Sequence, residues 1–135
     1  MVSAHQSLED IRKSFSRDNF ATNACGCQIV EASEGHAVCE FTISENHLNA
    51  HEAVMGGAIF TLADFALAVS ANVGKPPTVS VSNSIEFIGT AKGVRLIAKS
   101  DVLRESKSLG FYDVEVTDEL GNLVARMTAT CYRRS

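Results

Sequence analysis

No stretch of this chain is apolar for long enough to cross a membrane. The longest apolar segment, 58–73, is broken by Thr61, Asp64, Ser70 and Asn72, whereas a spanning helix needs about 20 uninterrupted residues. No membrane association is therefore expected. Basic residues are not in excess. Twelve Lys and Arg stand against 16 Asp and Glu, a net charge of -4, so nucleic acid is not an expected partner. The four cysteines, Cys25, Cys27, Cys39 and Cys131, match neither a C-x-x-C pair nor a Cys/His zinc spacing. They read as reduced, buried thiols of a cytoplasmic protein. Cys25-Gly26-Cys27 is expected on one face of a strand. No His pairs with Asp or Glu at metal-ligand spacing, so no metal is expected. The first residues carry no apolar run behind a basic stretch, and no signal peptide is expected. There are two prolines, Pro76 and Pro77, and no repeat, low-complexity tract or linker.

What is present is a chain of 135 residues, 45% hydrophobic and 21% charged. These values place it among globular chains and allow one domain, 1–135, with 1–19 as an N-terminal helical extension. Residues 7–17 read as a short amphipathic helix, with Leu8, Ile11 and Phe15 on one face and Ser7 as N-cap. Two strands, 25–32 and 36–43, flank a Glu34-Gly35 turn. A polar loop leads into a long helix from Gly57 to about Val73, punctuated by the prolines. From Val79 onward the pattern is strand, with alternation around Val79–Phe87, Val94–Val102, Tyr112–Val116 and Leu123–Cys131. The short polar connections suggest consecutive hairpins.

The long helix is apolar nearly all round and must be covered on most sides. One helix and about six strands cannot form two equal layers. The economical arrangement is α+β: a curved antiparallel sheet wrapped around one long central helix, plus the short N-terminal helix. An open sheet leaves edge strands, which pairing with a second copy would satisfy. A homodimer is expected.

The segment Asn49–Asp64 concentrates the chemistry. Gly56-Gly57 stands at the mouth of the helix, where free backbone N–H groups favour a developing negative charge. Asp64 is a single carboxylate two turns inside. Unpaired buried charge is costly, so Asp64 must be paired, functional or protonated. An ordinary Gly-containing junction and a carboxylate bonded to Thr61 or to backbone are equally open readings. Gly57, Thr61, Asp64 and Ala68 share one face of the helix, a polar notch of small residues.

These residues carry a resemblance. Asn49-x-His51, then Gly56-Gly57-Ala58-Ile59-Phe60-x-Leu62-Ala63-Asp64, Ala68 and Asn72, resembles the hotdog-fold thioesterases of the phenylacetate-pathway (PaaI-like) type. Val79-Ser80-Val81, Ile85-x-Phe87, the turn Gly89–Gly93 and the hairpin Val114–Ala125 extend it over residues 20–133. The resemblance implies the hotdog fold and hydrolysis of a short, medium or aromatic acyl-coenzyme A, without metal or organic cofactor. By position, Gly56 N–H would hold the thioester oxygen and Asp64 would serve as nucleophile or general base. Asn49 would position the water or the carboxylate, and Ser80 would supply a nearby hydroxyl. Met55, Gly57 and Thr61 would meet the substrate. Met55 stands where the family usually has His, and Met cannot donate a strong hydrogen bond. Pairing of dimers into a homotetramer is also implied. A non-catalytic acyl-thioester-binding protein is one alternative. A hydratase or dehydratase is another, but that chemistry wants a His beside an acid, and none matches.

Spacing adds a constraint. Eight residues of helix separate Gly56 from Asp64 by roughly 12 Å along the axis and about 80° around it. Reacting atoms must approach to roughly 3–3.5 Å. Both groups can serve one thioester only if they come from different subunits. His5 and His36 read as exposed and without function. His47 and His51 lie in the loop before the helix, and His51 could touch substrate. Lys92, Arg95, Arg104, Lys107, Arg133 and Arg134 lie near strand ends, where some could meet coenzyme A phosphates.

Overall fold

The computed structural model describes residues 6–134; His5 lies outside them. The N-terminal helix α1 spans Leu8–Phe15, with the Ser7 hydroxyl accepting from the Asp10 N–H at 3.2 Å. Its Ile11 and Phe15 are buried, each contributing roughly 1.5–3 kcal/mol of apolar burial. Phe15 meets Phe65 edge-on, ring centroids 6.2 Å apart. That contact pins the N-terminal segment across the long helix α2, Gly56–Asn72.

Six strands follow the chain: β1 Gln28–Ser33, β2 His36–Thr42, β3 Thr78–Phe87, β4 Arg95–Glu105, β5 Leu109–Asp118 and β6 Leu123–Arg133. They form one antiparallel sheet in the order β1-β2-β4-β5-β6-β3. The sheet curves around α2, which packs chiefly on β4 and β2. Leu62, Ala63, Ala66, Leu67 and Val69 of the helix are all buried, as an all-round apolar helix requires.

Three local expectations change. Cys25-Gly26-Cys27 precedes β1 instead of lying in it: a π-helical turn, Phe20–Ala24, ends at Cys25, and Gly26 turns the chain at φ 76°. All four cysteines are nevertheless free and buried. Next, β3 and β4 do not form a hairpin, because β3 pairs with β6 and β4 with β2. The connection between them crosses the end of the sheet. It is held there by the buried Asp118 carboxylate, which accepts the Lys92 and Gly93 N–H groups. Finally, His36 is half-buried and bonded, with Nδ1 2.7 Å from Asp101 and Nε2 3.3 Å from Glu31. Those contacts raise its pKa above the usual imidazole value, led by the Asp101 hydrogen bond. Among the described residues no helix is long and apolar enough to cross a membrane.

Candidate active site

Asp64 faces outward from α2 into two clefts. The first, about 350 Å³, is lined by Asp18, Asn19, Phe20 and Ala21 on one side and by Phe60, Thr61, Asp64, Phe65 and Ala68 on the other. The second, about 270 Å³, lies between α2 and β3 and brings Ser80, Thr78 and Cys131 to the same carboxylate. Thr61, Asp64 and Ala68 thus share a face, as helical spacing requires. A larger cleft, about 460 Å³ between α1 and β1, is lined by neither a carboxylate nor a histidine.

Asp64 makes no hydrogen bond or ion pair among the described residues. Thr61, the partner that a structural reading of Asp64 offered, instead donates to the Gly57 carbonyl at 2.8 Å, a common use of a helical Thr. Burial pushes the Asp64 carboxyl above the usual carboxylate range, and the Asp18 carboxylate adds to the rise. Half-buried, unpaired and opening on two clefts, the group has the properties of a base or nucleophile rather than of a structural carboxylate.

Ser80 shares a cleft with Asp64 because the end of α2 is clipped to the start of β3. The buried Asn72 side chain accepts the Thr78 N–H at 2.9 Å and donates to the Thr78 carbonyl at 3.1 Å. A bulge follows at Ser80–Ser82, and the Ser80 hydroxyl accepts from the Asn83 side chain at 3.2 Å. Asn72 belonged to the sequence pattern without a role; it sets the position of β3 against the helix.

Gly56, Gly57, Met55 and Asn49 lie elsewhere in the same chain. Gly56 opens α2, and no side chain caps the helix, so its first N–H groups have no intrahelical acceptor. A Cβ on Gly56 would come within 3.2 Å of the Phe87 ring at the far end of β3. A side chain there would require the exposed Phe87 ring to give by a few tenths of an ångström. Met55 is exposed, its N–H donating to the His47 carbonyl at 2.8 Å. Asn49 Oδ1 accepts the N–H groups of His51 at 2.9 Å and Ala53 at 3.2 Å. These bonds hold a loop in which Glu52 adopts φ 62°, a conformation costly for a non-glycine residue. The Asn49 Nδ2 amide has no partner among the described residues. His51 is exposed, whereas His47 is buried, stacked on Phe41 and bonded to the Cys25 carbonyl at 2.7 Å.

Of the basic residues, Arg95 pairs with Glu40 and Arg133 with Glu105. Lys92, Arg104, Lys107 and Arg134 are exposed. No cluster of three or more metal-ligating side chains occurs among the described residues.

Within one chain, then, Asp64 is gathered with Ser80 and Thr61, while Gly56 is gathered with Met55 and Gly57. Comparison with known proteins identifies the family. The thioesterase superfamily profile matches residues 51–125, from the loop before α2 to the last hairpin. The acyl-coenzyme A thioesterase PaaI of Escherichia coli is 29% identical over 131 residues, 96% of this chain and 93% of that protein. Human acyl-coenzyme A thioesterase 13 is 31% identical over 131 residues, 93% of this chain and 94% of that protein. The solved structure of E. coli PaaI superposes with a TM-score of 0.83, covering 96% of this chain and 97% of its own, at 27% identity. With a family match over more than half of the chain, relatives of about 30% identity along nearly its whole length and a superposing fold, the chain belongs to the thioesterase superfamily, as a PaaI-like hotdog thioesterase.

Proposed function

We propose that the chain hydrolyses acyl-coenzyme A thioesters of short, medium-length or aromatic acids, as a single domain that works in the cytoplasm as a homodimer. Pairing of dimers into a homotetramer is part of the same reading. The observation that carries it is the half-buried, unpartnered Asp64 carboxyl opening on two clefts beside Ser80. Names of relatives at 29% and 31% identity supply the acyl-coenzyme A substrate class. Neither cleft is lined by a histidine, which weighs against a hydratase.

The shared site follows from the course of β3. This edge strand runs antiparallel to α2, with Ser80 near Asp64 and Phe87 against Gly56. Val81 is 60% and Phe87 54% exposed. Antiparallel pairing of β3 with its copy about a two-fold axis near Asn83 would set Ser80 opposite Phe87 of the second chain. Asp64 of one chain then faces Gly56 of the other, and each dimer holds two equivalent sites.

In such a site the thioester carbonyl lies on the Gly56 N–H, at the positive end of α2. Asp64 takes a proton from a water held with Ser80, the water oxygen bonds to the carbonyl carbon, and the carbon–sulfur bond breaks. The proton passes to the leaving thiolate. If Asp64 itself attacks, an anhydride forms and water then hydrolyses it. Asn49 Nδ2 is free to hold the water or the carboxylate, and Met55, Gly57 and Thr61 border the acyl thioester. Exposed Lys92, Arg104, Lys107 and Arg134 are the candidates for the coenzyme A phosphates.

Asp64→Asn is expected to lower kcat/KM by roughly 100- to 10,000-fold on a panel of acyl-coenzyme A substrates, read by thiol release. Wild-type turnover by this variant would overturn the role of Asp64. Subunit exchange tests the shared site. Asp64→Asn and Gly56→Val are each inactive alone. Mixed, half the dimers are heterodimers with one intact site of two, so about a quarter of wild-type activity returns. No recovery, with exchange verified by mass spectrometry, would place the whole site in one chain.

A further inference from the structure

The first cleft beside Asp64 is closed on its outer side by residues of the N-terminal segment, and its lining has a particular chemistry. Phe20, Phe60 and Phe65 give it three aromatic rings, and Ala21 and Ala68 give it room. The Phe20 ring is 68% exposed. No core packing accounts for its place at the start of the π-helical turn, which is held by the Cys25 N–H donating to the Phe20 carbonyl at 2.9 Å. The polar members of the outer wall are Asn19 and Asp18. The Asp18 backbone carbonyl accepts from the Thr22 N–H and hydroxyl, but its carboxyl has no hydrogen-bond or ion-pair partner among the described residues. No Lys, Arg or His lines this cleft.

We infer that this cleft receives the acyl tail and that Asp18 and Phe20 determine which tails enter: uncharged apolar or aromatic tails are accepted, and tails ending in a carboxylate are refused. The inference rests on the proposed thioesterase reading and adds its substrate class. An aromatic or aliphatic tail gains by burial against the three rings. A terminal carboxylate would enter a cleft that already holds Asp18 and Asp64 with no cation to offset them, and like charges in a partly desolvated site repel strongly. The charge of Asp18 is felt across the cleft, since it contributes to the raised pKa of Asp64.

Hexanoyl-coenzyme A and adipoyl-coenzyme A test this directly, because their acyl chains have equal carbon number and differ in one terminal carboxylate. The coenzyme A phosphates are common to both, so the ratio of their kcat/KM values isolates the tail. In low-salt buffer at pH 8 the wild type is expected to favour the hexanoyl thioester. Asp18→Asn should reduce that preference roughly tenfold, and Asp18→Lys should reduce it further or reverse it. Raising the ionic strength should narrow the wild-type preference, as screening requires. Phe20→Ala should raise KM for the hexanoyl and phenylacetyl thioesters more than for the acetyl thioester.

The Asp18 carboxyl has no bonded partner to lose, so Asp18→Asn is not expected to disturb the fold; circular dichroism checks this. A hexanoyl-to-adipoyl ratio equal in wild type, Asp18→Asn and Asp18→Lys would overturn the inference while leaving an Asp64-dependent thioesterase in place. Absence of hydrolysis by the wild type, or hydrolysis that survives Asp64→Asn, would instead overturn the functional reading and this inference with it.

Discussion

Asp64 illustrates the tension between stability and activity at the scale of one residue. Its carboxyl is pushed above the ordinary range first by burial and then by Asp18. A folded-state pKa above the unfolded value of about 3.9 means that folding favours the protonated form. Ionised Asp64 therefore costs stability above its folded pKa, and the cost vanishes below the unfolded one. Asp64→Asn is expected to raise the Tm near pH 7 by a few degrees while removing activity. The gain should shrink to nothing below about pH 4. Thermal unfolding of both proteins across pH checks this, and an unchanged or lower Tm at pH 7 would show that Asp64 is stabilised by a group outside its own chain. Because activity needs the carboxylate, the acid limb of kcat/KM should likewise lie above the ordinary Asp value.

Elements are placed by side chains that bond backbone across the sequence. Asn72 ties the end of α2 to β3, and Asp118 ties the β3–β4 connection to the last hairpin. Asp118 is buried and accepts from the Asn122 side chain and from the N–H groups of Lys92, Gly93, Leu120 and Asn122. These bonds, led by the Asn122 side chain, hold its carboxyl well below the usual range. A depressed carboxyl contributes stability that is present above the unfolded pKa and lost as pH falls through the folded one. Asp118→Asn should therefore lower the Tm at pH 7, and its deficit should diminish as pH falls below about 4. Melting curves that stay parallel for the two proteins down to pH 2 would contradict this role.

For the whole molecule the decisive feature is β3. Much of the apolar surface of this strand is unburied in one chain: Val79 and Val81 are 54% and 60% exposed. An isolated protein gains little from such an edge and risks aggregation; a dimer gains from covering it. In the register that sets Ser80 opposite Phe87, Val81 lies opposite Glu86 of the second chain, so Val81→Glu would set like charges against each other across the interface. It is expected to yield monomers by light scattering and, if the site is built from two chains as proposed, to lower kcat/KM at least roughly tenfold. A dimeric, fully active Val81→Glu protein would move the interface off β3.

The sequence by itself determined most of the elements and the family. A helix apolar on all sides has few ways to be covered, and period-two alternation marks strands, so the wrapped sheet follows from patterning. The family was legible because Gly56-Gly57 and Asp64 lie in one short segment, where spacing is local information. Rise per residue alone shows that these groups are too far apart to act together in one chain. Tertiary structure decided what local spacing cannot encode. It made β3 the neighbour of β6 rather than β4, through bonds from Asp118 to residues 25 and 26 positions away. It brought Ser80 to Asp64 by the Asn72 clip, turned Thr61 away to Gly57, and bonded His36 between Asp101 and Glu31. It also laid Asp18 and Phe20 along the cleft beside Asp64, although the sequence places Asp18 only in a helical extension and gives Phe20 no role. Long-range placement depends on which buried polar groups find partners and which surfaces pack together, and those are properties of the assembled chain.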